Sequence, residues 1–304
     1  MLRALRPQGD DMPISDNLRG TLYMSLSMMS FTVNDAFMKA VIQTLPLYQS
    51  IALRGMVAVV GLTILTLATG ALRQSLTRED LVLVGLRSVA DVAATILFLT
   101  ALLHMPLANL SAILQAVPLA VSFAAFLVFG DRIGWRRLTA ILVGFAGVLI
   151  VIRPGAEGFD MAAVLGLGSM ACVVVRDLAV RPMKGHVPSV LVALAAGTGV
   201  MLMGLTGTIW QGWQPVTPGH ALGLLAAGLF LIAGYLSSVT AMRWGEISLV
   251  APFRYTSLLW AIFLGWMVFA ELPDLWTMVG STIIVGAGVF TLLRERALKR
   301  RTLA

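Results

Sequence analysis

Residues Val187–Thr206 have the sequence VPSVLVALAAGTGVMLMGLT, a run of 20 residues without a charged side chain. A helix of about 20 apolar residues crosses the roughly 30 Å hydrocarbon core of a bilayer. Of the 304 residues, 58% are hydrophobic and only 12% are charged, which is too little polar surface to cover a water-soluble protein of this size. The sequence therefore predicts an all-α membrane protein, and the long apolar runs exclude the short alternating strands of an outer-membrane barrel.

Similar apolar runs recur along the chain, separated by short segments rich in proline, glycine and charged residues. They predict ten transmembrane helices near residues 20–42, 47–70, 80–103, 106–129, 136–153, 160–181, 187–210, 219–243, 246–270 and 275–293. The segments between them are too short to contain a soluble domain.

The positive charges are distributed unevenly between the two ends of these helices. With the N-terminus in the cytoplasm, 17 of the 22 Lys and Arg residues lie in cytoplasmic segments and only Arg153 lies in an outside loop. The other four, Lys39, Arg54, Arg87 and Arg254, lie within predicted spans. Short cytoplasmic loops retain positive charge, so the net charge of +7 reflects topology and not nucleic-acid binding. We expect a multi-pass protein of the bacterial inner membrane with both termini cytoplasmic.

The two halves of the chain align with each other. SMMSFTVND at 27–35 lies against SMACVVVRD at 169–177, and FGD at 129–131 lies against FAE at 269–271. Because each half holds an odd number of spans, the second copy must enter the membrane inverted, an arrangement typical of secondary transporters with a substrate site near the midplane. The expected units are a cytoplasmic tail at 1–17, five-helix repeats at 18–153 and 160–294, and a basic cytoplasmic tail at 295–304.

Six motifs carry a family resemblance. They are MPLANLSAILQAVP at 105–118, FGDR at 129–132, GFAGVLIVIRP at 144–154, LVAPFRY at 249–255, AE at 270–271 and GAGV at 286–289. With these motifs almost the whole chain resembles the EamA-like ten-helix branch of the drug/metabolite transporter superfamily. The resemblance implies two inverted five-helix repeats around a central cavity and secondary transport of a small organic metabolite, such as an amino acid, a vitamin like riboflavin or a nucleotide-like compound. Asp131 departs conservatively from the glutamate usual in the family at that position.

Two charged residues lie near the middle of the third predicted span. Arg87 and Asp91 are four residues apart and therefore share a helix face. Because a charge within a span is costly, Asp91 is a candidate for binding a substrate cation or a coupling proton, with Arg87 tuning its charge. The alternative is that the two side chains neutralise each other in the wall of the bundle.

Further candidates for substrate binding lie in the fourth, eighth and ninth spans. Arg254 and Tyr255 follow Pro252, a residue that interrupts backbone hydrogen bonding. Arg254 could bind a carboxylate or phosphate through two parallel hydrogen bonds, or could extend to the cytoplasmic interface. Gln115 could hydrogen-bond a substrate and Tyr235 could stack on one, with helix–helix hydrogen bonds and ordinary packing as the alternatives.

A further set of charges lies near the ends of the spans. Asp35, Lys39 and Arg54 lie towards the outer face, and the alignment of the halves places Asp177 and Arg181 at matching positions near the inner face. We hypothesise that these two clusters close the substrate path alternately on opposite sides. Static ion pairs that hold helix ends are the alternative.

The sequence lacks the motifs of other functional classes. It contains no HExxH, GxSxG or GxxxxGK[ST] motif, and its three histidines and its single cysteine are far apart. We therefore expect no enzyme activity, no metal or other cofactor, and no direct use of ATP, while a membrane-embedded enzyme or a channel remains the alternative. The expected partners are a small-molecule substrate and the lipid bilayer, with a coupling proton or ion as a further candidate. We expect no nucleic acid, and a monomer or homodimer.

Overall fold

The computed structural model describes residues 14–74, 76–131, 134–153, 161–183, 187–244 and 246–303. Most of the predicted N-terminal tail, residues 1–13, and the segment 154–160 between the predicted repeats lie outside the described residues. The described part consists of helices and connecting segments, without a strand. The helices are α1 Ile14–Ile42, α2 Leu47–Ala68, α3 Arg78–His104, α4 Leu107–Leu114, α5 Val117–Phe129, α6 Trp135–Ile152, α7 Met161–Val180, α8 Ser189–Gln211, α9 Pro218–Trp244, α10 Ile247–Val250, α11 Thr256–Phe269 and α12 Leu275–Leu303.

Eight segments within the described ranges are long and apolar enough to cross a membrane. They are α2, α3, α4 with α5, α6, α7, α8, α9 and the first part of α12, Leu275–Arg294. The prediction of an all-α, multi-pass membrane protein is confirmed. The other two predicted spans correspond to α1, which carries Asp35 and Lys39, and to 247–269, which is divided by a 3₁₀ turn at Ala251–Tyr255.

Both α4–α5 and α10–α11 are interrupted beside a proline. Pro118 lies in the first turn of α5, and Pro252 lies in the 3₁₀ turn between α10 and α11. Proline has no backbone N–H and its ring clashes with the preceding turn, so a straight helix is disfavoured at these points. Both second segments also end alike, since Gly130 and Ala270 have left-handed backbone conformations with φ of 68° and 54°.

The helices of the first half pack mainly against helices of the second half. Helix α1 runs along α9, α2 along α8, α3 along α7 and α6 along α12, while α4 contacts α11. Glycine allows two of these pairs to approach closely, because a Cβ atom at Gly204 would lie 2.6 Å from the backbone nitrogen of Ala52 and one at Gly280 would lie 2.6 Å from the carbonyl oxygen of Gly147. Helix α4 lies deepest, with Leu107, Leu110, Ala112 and Ile113 fully buried.

Contacts between helix ends form two groups, one at each end of the molecule. The two ends are named outer and inner after the predicted orientation. The outer end holds the contacts of Thr44 with His220, Gln49 with Gln214 and Arg153 with Asp274. The inner end holds the contacts of Asn17 with Glu246, Arg19 with Trp244 and Arg181 with Asp131. Each of these contacts joins segments that the sequence analysis assigned to the same side of the membrane.

Candidate functional site

The outer end contains a buried ion pair between Lys39 of α1 and Glu271, which follows α11. The Lys39 Nζ lies 2.6 Å from Glu271 Oε2, and only 4% of the Lys39 side chain and 29% of the Glu271 side chain are exposed. Lys39 also donates to the Met105 carbonyl at 3.2 Å and lies 4.9 Å from the centre of the Phe269 ring. Glu271 accepts a hydrogen bond from the Leu107 backbone N–H at 3.3 Å. This outer ion pair therefore joins α1, the start of α4 and the end of α11.

The inner end contains a second ion pair built from the same kinds of group. Arg181 follows α7 and makes two hydrogen-bonded contacts with Asp131, at 2.8 and 3.1 Å, and it lies 4.8 Å from the centre of the Phe129 ring. The hydrogen bond to Asp131 raises the pKa of the Arg181 guanidinium above its ordinary value. The side chains of this inner ion pair are 47% and 40% exposed. The inner ion pair is thus open to its surroundings where the outer ion pair is closed.

A third arrangement of charges lies between the two ends, on α3 and α7. Arg176 binds two carboxylates, with Nη1 3.0 Å from Asp91 Oδ1 and Nε 2.9 Å from Asp177 Oδ1. All three side chains are between 22% and 28% exposed. The partner of Asp91 is therefore Arg176 on another helix, and Arg87 on the same helix face makes no ion pair with it in the described structure.

On α1 and α2, Arg54 extends this arrangement towards the outer end. Arg54 is buried, at 7% exposure, and its Nη1 donates to Asn34 Oδ1 at 3.3 Å. The Asn34 amide in turn donates to Asp35 Oδ1 at 2.9 Å. Arg54 also lies within electrostatic range of both Asp35 and Asp91.

Arg87 of α3 and Tyr235 of α9 complete the arrangement. Arg87 lies within electrostatic range of Asp91, Asp177 and Tyr235. The buried Nε of Arg87 and the buried hydroxyl of Tyr235 have no hydrogen-bond partner within the described ranges. We call the whole set the central charge group: Asp35, Arg54, Arg87, Asp91, Arg176, Asp177 and Tyr235.

Gln115 and Tyr255 meet where the two interrupted helices touch. The Gln115 amide donates to Ser257 Oγ at 2.6 Å and to the Tyr255 carbonyl at 3.4 Å, and Gln115 is 7% exposed. The Tyr255 ring is buried against Gly288 of α12. Arg254 is exposed, and its side chain makes no ion pair with any residue that the structure describes. Gln115 thus makes the helix–helix hydrogen bond that was one of its two predicted roles.

The structure brings the predicted site residues together in an arrangement that the sequence showed only in part. Lys39 and Arg181, which were grouped with Asp35 and Asp177, instead pair with Glu271 and Asp131. Sequence reasoning missed these two acids and Arg176 as functional candidates. The alignment of the halves could have indicated Asp131 and Glu271. It matches 129–131 with 269–271, just as it matches Lys39 with Arg181.

Other possible sites are less well formed. A groove of about 370 Å³ lies at the outer end between α2 and α8, and none of the predicted site residues lines it. Trp210 beside it is 91% exposed, which is typical of an aromatic ring at a membrane interface. Across the described ranges, no three His, Cys, Asp or Glu side chains are grouped so that they could hold a metal ion.

Comparison with known proteins identifies a family and several relatives of this chain. The model of the EamA-like transporter family matches twice, at residues 18–153 and 160–293. The pseudopaline exporter CntI of Pseudomonas aeruginosa is 26% identical over 88% of this chain and 94% of its own length. A riboflavin transporter of Vibrio cholerae is 28% identical over 93% and 96%, and an S-adenosylmethionine uptake transporter of Rickettsia felis is 23% identical over 64% and 66%. One crystal structure superposes with a TM-score of 0.64 at 20% identity, over 92% of this chain and 99% of the other.

Proposed function

We propose, from the premise that this chain belongs to the EamA-like transporter family, that it is a secondary transporter working by alternating access. Transport of a small metabolite is confirmed by the named functions of its relatives. The observation that carries the mechanism is the contrast between the two ion pairs. Lys39 with Glu271 is closed at one end of the bundle, while Arg181 with Asp131 is open at the other.

Helix packing supports ten spans in two inverted repeats. If the first five predicted spans are exchanged with the second five, the contact of α1 with α9 becomes that of α7 with α3, and both contacts exist. The contacts of α2 with α8, α6 with α12 and α4 with α11 map onto themselves under the same exchange. The family model also matches each half separately. These observations favour repeats at 18–153 and 160–294 around a central path, and we propose that 1–17 and 295–304 are cytoplasmic tails.

The two ion pairs act as alternating gates in this mechanism. Each combines a cation at the end of the first helix of one repeat with a carboxylate after the fourth predicted span of the other repeat. Each cation also lies over a phenylalanine ring. We assign the structure to a state that is closed at the outer end and accessible from the inner end. In the opposite state the inner ion pair is buried and the outer ion pair is solvated. A buried pair and a solvated pair differ little in net free energy, which suits reversible switching.

The remaining predicted residues take roles between these gates. We assign Asp35, Arg54 and Asp177 to the central charge group together with Asp91, Arg87 and Tyr235, where a substrate or coupling ion binds. Their connection through Arg54 and Arg176 supports this assignment over a purely local role at the helix ends. Gln115 and Tyr255 join the interrupted helices beside this path, and Arg254 remains a candidate for an anionic group at its inner mouth.

The cargo remains one of several classes. The relatives are named for pseudopaline, riboflavin and S-adenosylmethionine, which supports a small organic metabolite and includes vitamin-like and nucleotide-like compounds. Transport is driven by an ion gradient, by exchange or by simple facilitation. The protein lies in the inner membrane with both termini in the cytoplasm, as a monomer or homodimer. Saturable flux into liposomes, without single-channel currents, distinguishes this carrier from a channel.

Distance measurements on the full chain test the gates. Spin labels at Ala40→Cys with Leu272→Cys report on the outer end, and labels at Val128→Cys with Val180→Cys report on the inner end, in a Cys172→Ser background. Lys39→Ala removes the outer ion pair, so we expect the outer distance to lengthen and the inner distance to shorten. Arg153→Ala, which removes another ion pair at the outer end, is the control and leaves both distances unchanged. Distances that stay constant, or that change in the same direction, contradict alternating access.

A further inference from the structure

The central charge group contains three arginines and three aspartates, but they are not all paired with each other. Arg176 binds Asp91 and Asp177, and Arg54 donates to Asn34 and lies within electrostatic range of Asp35 and Asp91. Arg87 alone among the three arginines forms neither an ion pair nor a hydrogen bond within the described structure. A guanidinium held inside a membrane bundle without an acceptor is costly, so its place calls for an anion.

Arg87 and Tyr235 lie at the same depth in the bundle. Arg87 is nine residues from the inner end of α3, at Arg78, and Tyr235 is nine residues from the inner end of α9, at Trp244. With a rise of 1.5 Å per residue, both side chains start about 13 Å from the inner end. Each side chain also lies within electrostatic range of the other.

Both side chains present donors without acceptors at this depth. The Arg87 Nε and the Tyr235 hydroxyl are buried and have no partner among the described residues. A buried donor without a partner is rare in folded proteins and calls for an explanation. One anionic group with two oxygen atoms would satisfy both donors, the guanidinium through a charge-assisted hydrogen bond and the hydroxyl through a second one.

We propose that Arg87 and Tyr235 bind a carboxylate of the transported metabolite, a proposal that rests on the proposed transport function. The charge of the surroundings favours a carboxylate over a phosphate ester. Asp91 and Asp177 lie within electrostatic range of Arg87, so a doubly charged phosphate meets stronger repulsion there than a singly charged carboxylate.

Binding to the purified full-length protein in nanodiscs tests this proposal. The probes are the twenty amino acids and common dicarboxylic acids, each amino acid compared with its amide and its decarboxylated amine, together with inorganic phosphate. We expect at least one carboxylate to bind at least tenfold more tightly than its amide and its amine. If no carboxylate binds, if acid and amide bind equally, or if phosphate binds more tightly than every carboxylate, the proposal is wrong.

Variants connect this preference with the two residues. For the acid that binds most tightly, we expect Arg87→Ala to weaken binding at least tenfold, Arg87→Lys to weaken it less and Tyr235→Phe to weaken it several-fold. Arg136→Ala is the matched control, because Arg136 is exposed at the start of α6 and stacks on Trp135, and it should not change binding. If Arg87→Ala does not fold, Arg87→Gln replaces it, and unchanged affinity in a folded Arg87 variant contradicts the site.

The same measurements separate this inference from the proposed function. Saturable transport of a metabolite that lacks a carboxylate, with the opposed distance changes at the two ion pairs intact, overturns the carboxylate site and leaves the transporter. Carboxylate binding that depends on Arg87, without opposed distance changes, leaves the site and overturns alternating access.

Discussion

Glu271 accepts hydrogen bonds both from Lys39 Nζ, at 2.6 Å, and from the backbone N–H of Leu107, at 3.3 Å. Leu107 is the first residue of α4, and the residue before it, Pro106, has no side-chain group that could cap the helix. The Glu271 carboxylate therefore caps α4 from a distant part of the chain, where a negative charge is also favourable for the helix dipole. The Glu271 side chain thus links α1 to α4, the most buried helix.

The first prediction concerns this contact. Glu271→Ala leaves Lys39 buried without a counter-ion, and removal of one partner from a buried ion pair costs about 3–5 kcal/mol. We expect a clearly lower melting temperature for the purified protein in thermal unfolding followed by intrinsic fluorescence. Asp131→Ala at the exposed inner ion pair is the matched control and should change it much less. Equal losses in the two variants contradict the difference in burial, and Lys39→Met with Glu271→Leu should recover most of the loss.

The second prediction concerns Arg176. Its removal leaves Asp91 and Asp177 without their shared cation inside the bundle, so we expect Arg176→Ala to reduce both thermal stability and transport. Asp91→Asn in the same chain removes one of the two uncompensated charges and should recover part of the stability. The check is a double-mutant cycle on melting temperature, in which strictly additive effects contradict the bridge.

The third prediction uses two glycines of α12. A Cβ atom at Gly288 would overlap the Tyr255 ring, whereas one at Gly286 meets no atom within 4 Å. We expect Gly288→Ala to destabilise the protein by about 1–3 kcal/mol through overpacking. Gly286→Ala should be neutral or slightly stabilising, because alanine is the better helix former. Adding Tyr255→Ala removes the overlap, so Gly288→Ala should cost less in that background, and an equal cost in both backgrounds argues against the packing described.

The fourth prediction concerns the junction of the interrupted helices. Gln115 donates to Ser257 Oγ at 2.6 Å, and Gln115 is buried while Ser257 is partly exposed. Hydrogen bonds between transmembrane helices contribute about 0.6 kcal/mol on average and up to about 1.7 kcal/mol. We expect Gln115→Ala and Ser257→Ala to show a coupling in this range in a double-mutant cycle of unfolding free energies. If this hydrogen bond stabilises the substrate path, transport should fall by a similar factor in the two single variants. A coupling free energy near zero would show that the bond does not contribute to stability.

The sequence by itself determined the class of protein and the position of most helices. The run Val187–Thr206 predicted a span at 187–210, and α8 occupies Ser189–Gln211. Transfer of an apolar segment into lipid depends on its own composition and length, so about 20 residues contain the necessary information. The family resemblance, carried by motifs such as 105–118 and 249–255, is confirmed for the same reason: each motif is a local stretch of chain.

Only the tertiary structure decided which charges meet. Helical periodicity placed Arg87 on the same face as Asp91, but α3 packs against α7 so that Asp91 forms its ion pair with Arg176. Lys39 likewise pairs with Glu271, 232 residues away in the chain. Spacing along a helix determines only which side chains share a face, whereas partners across helices depend on how the helices pack and rotate against each other. The ion pairs, and the burial that distinguishes them, are therefore properties of the assembled bundle.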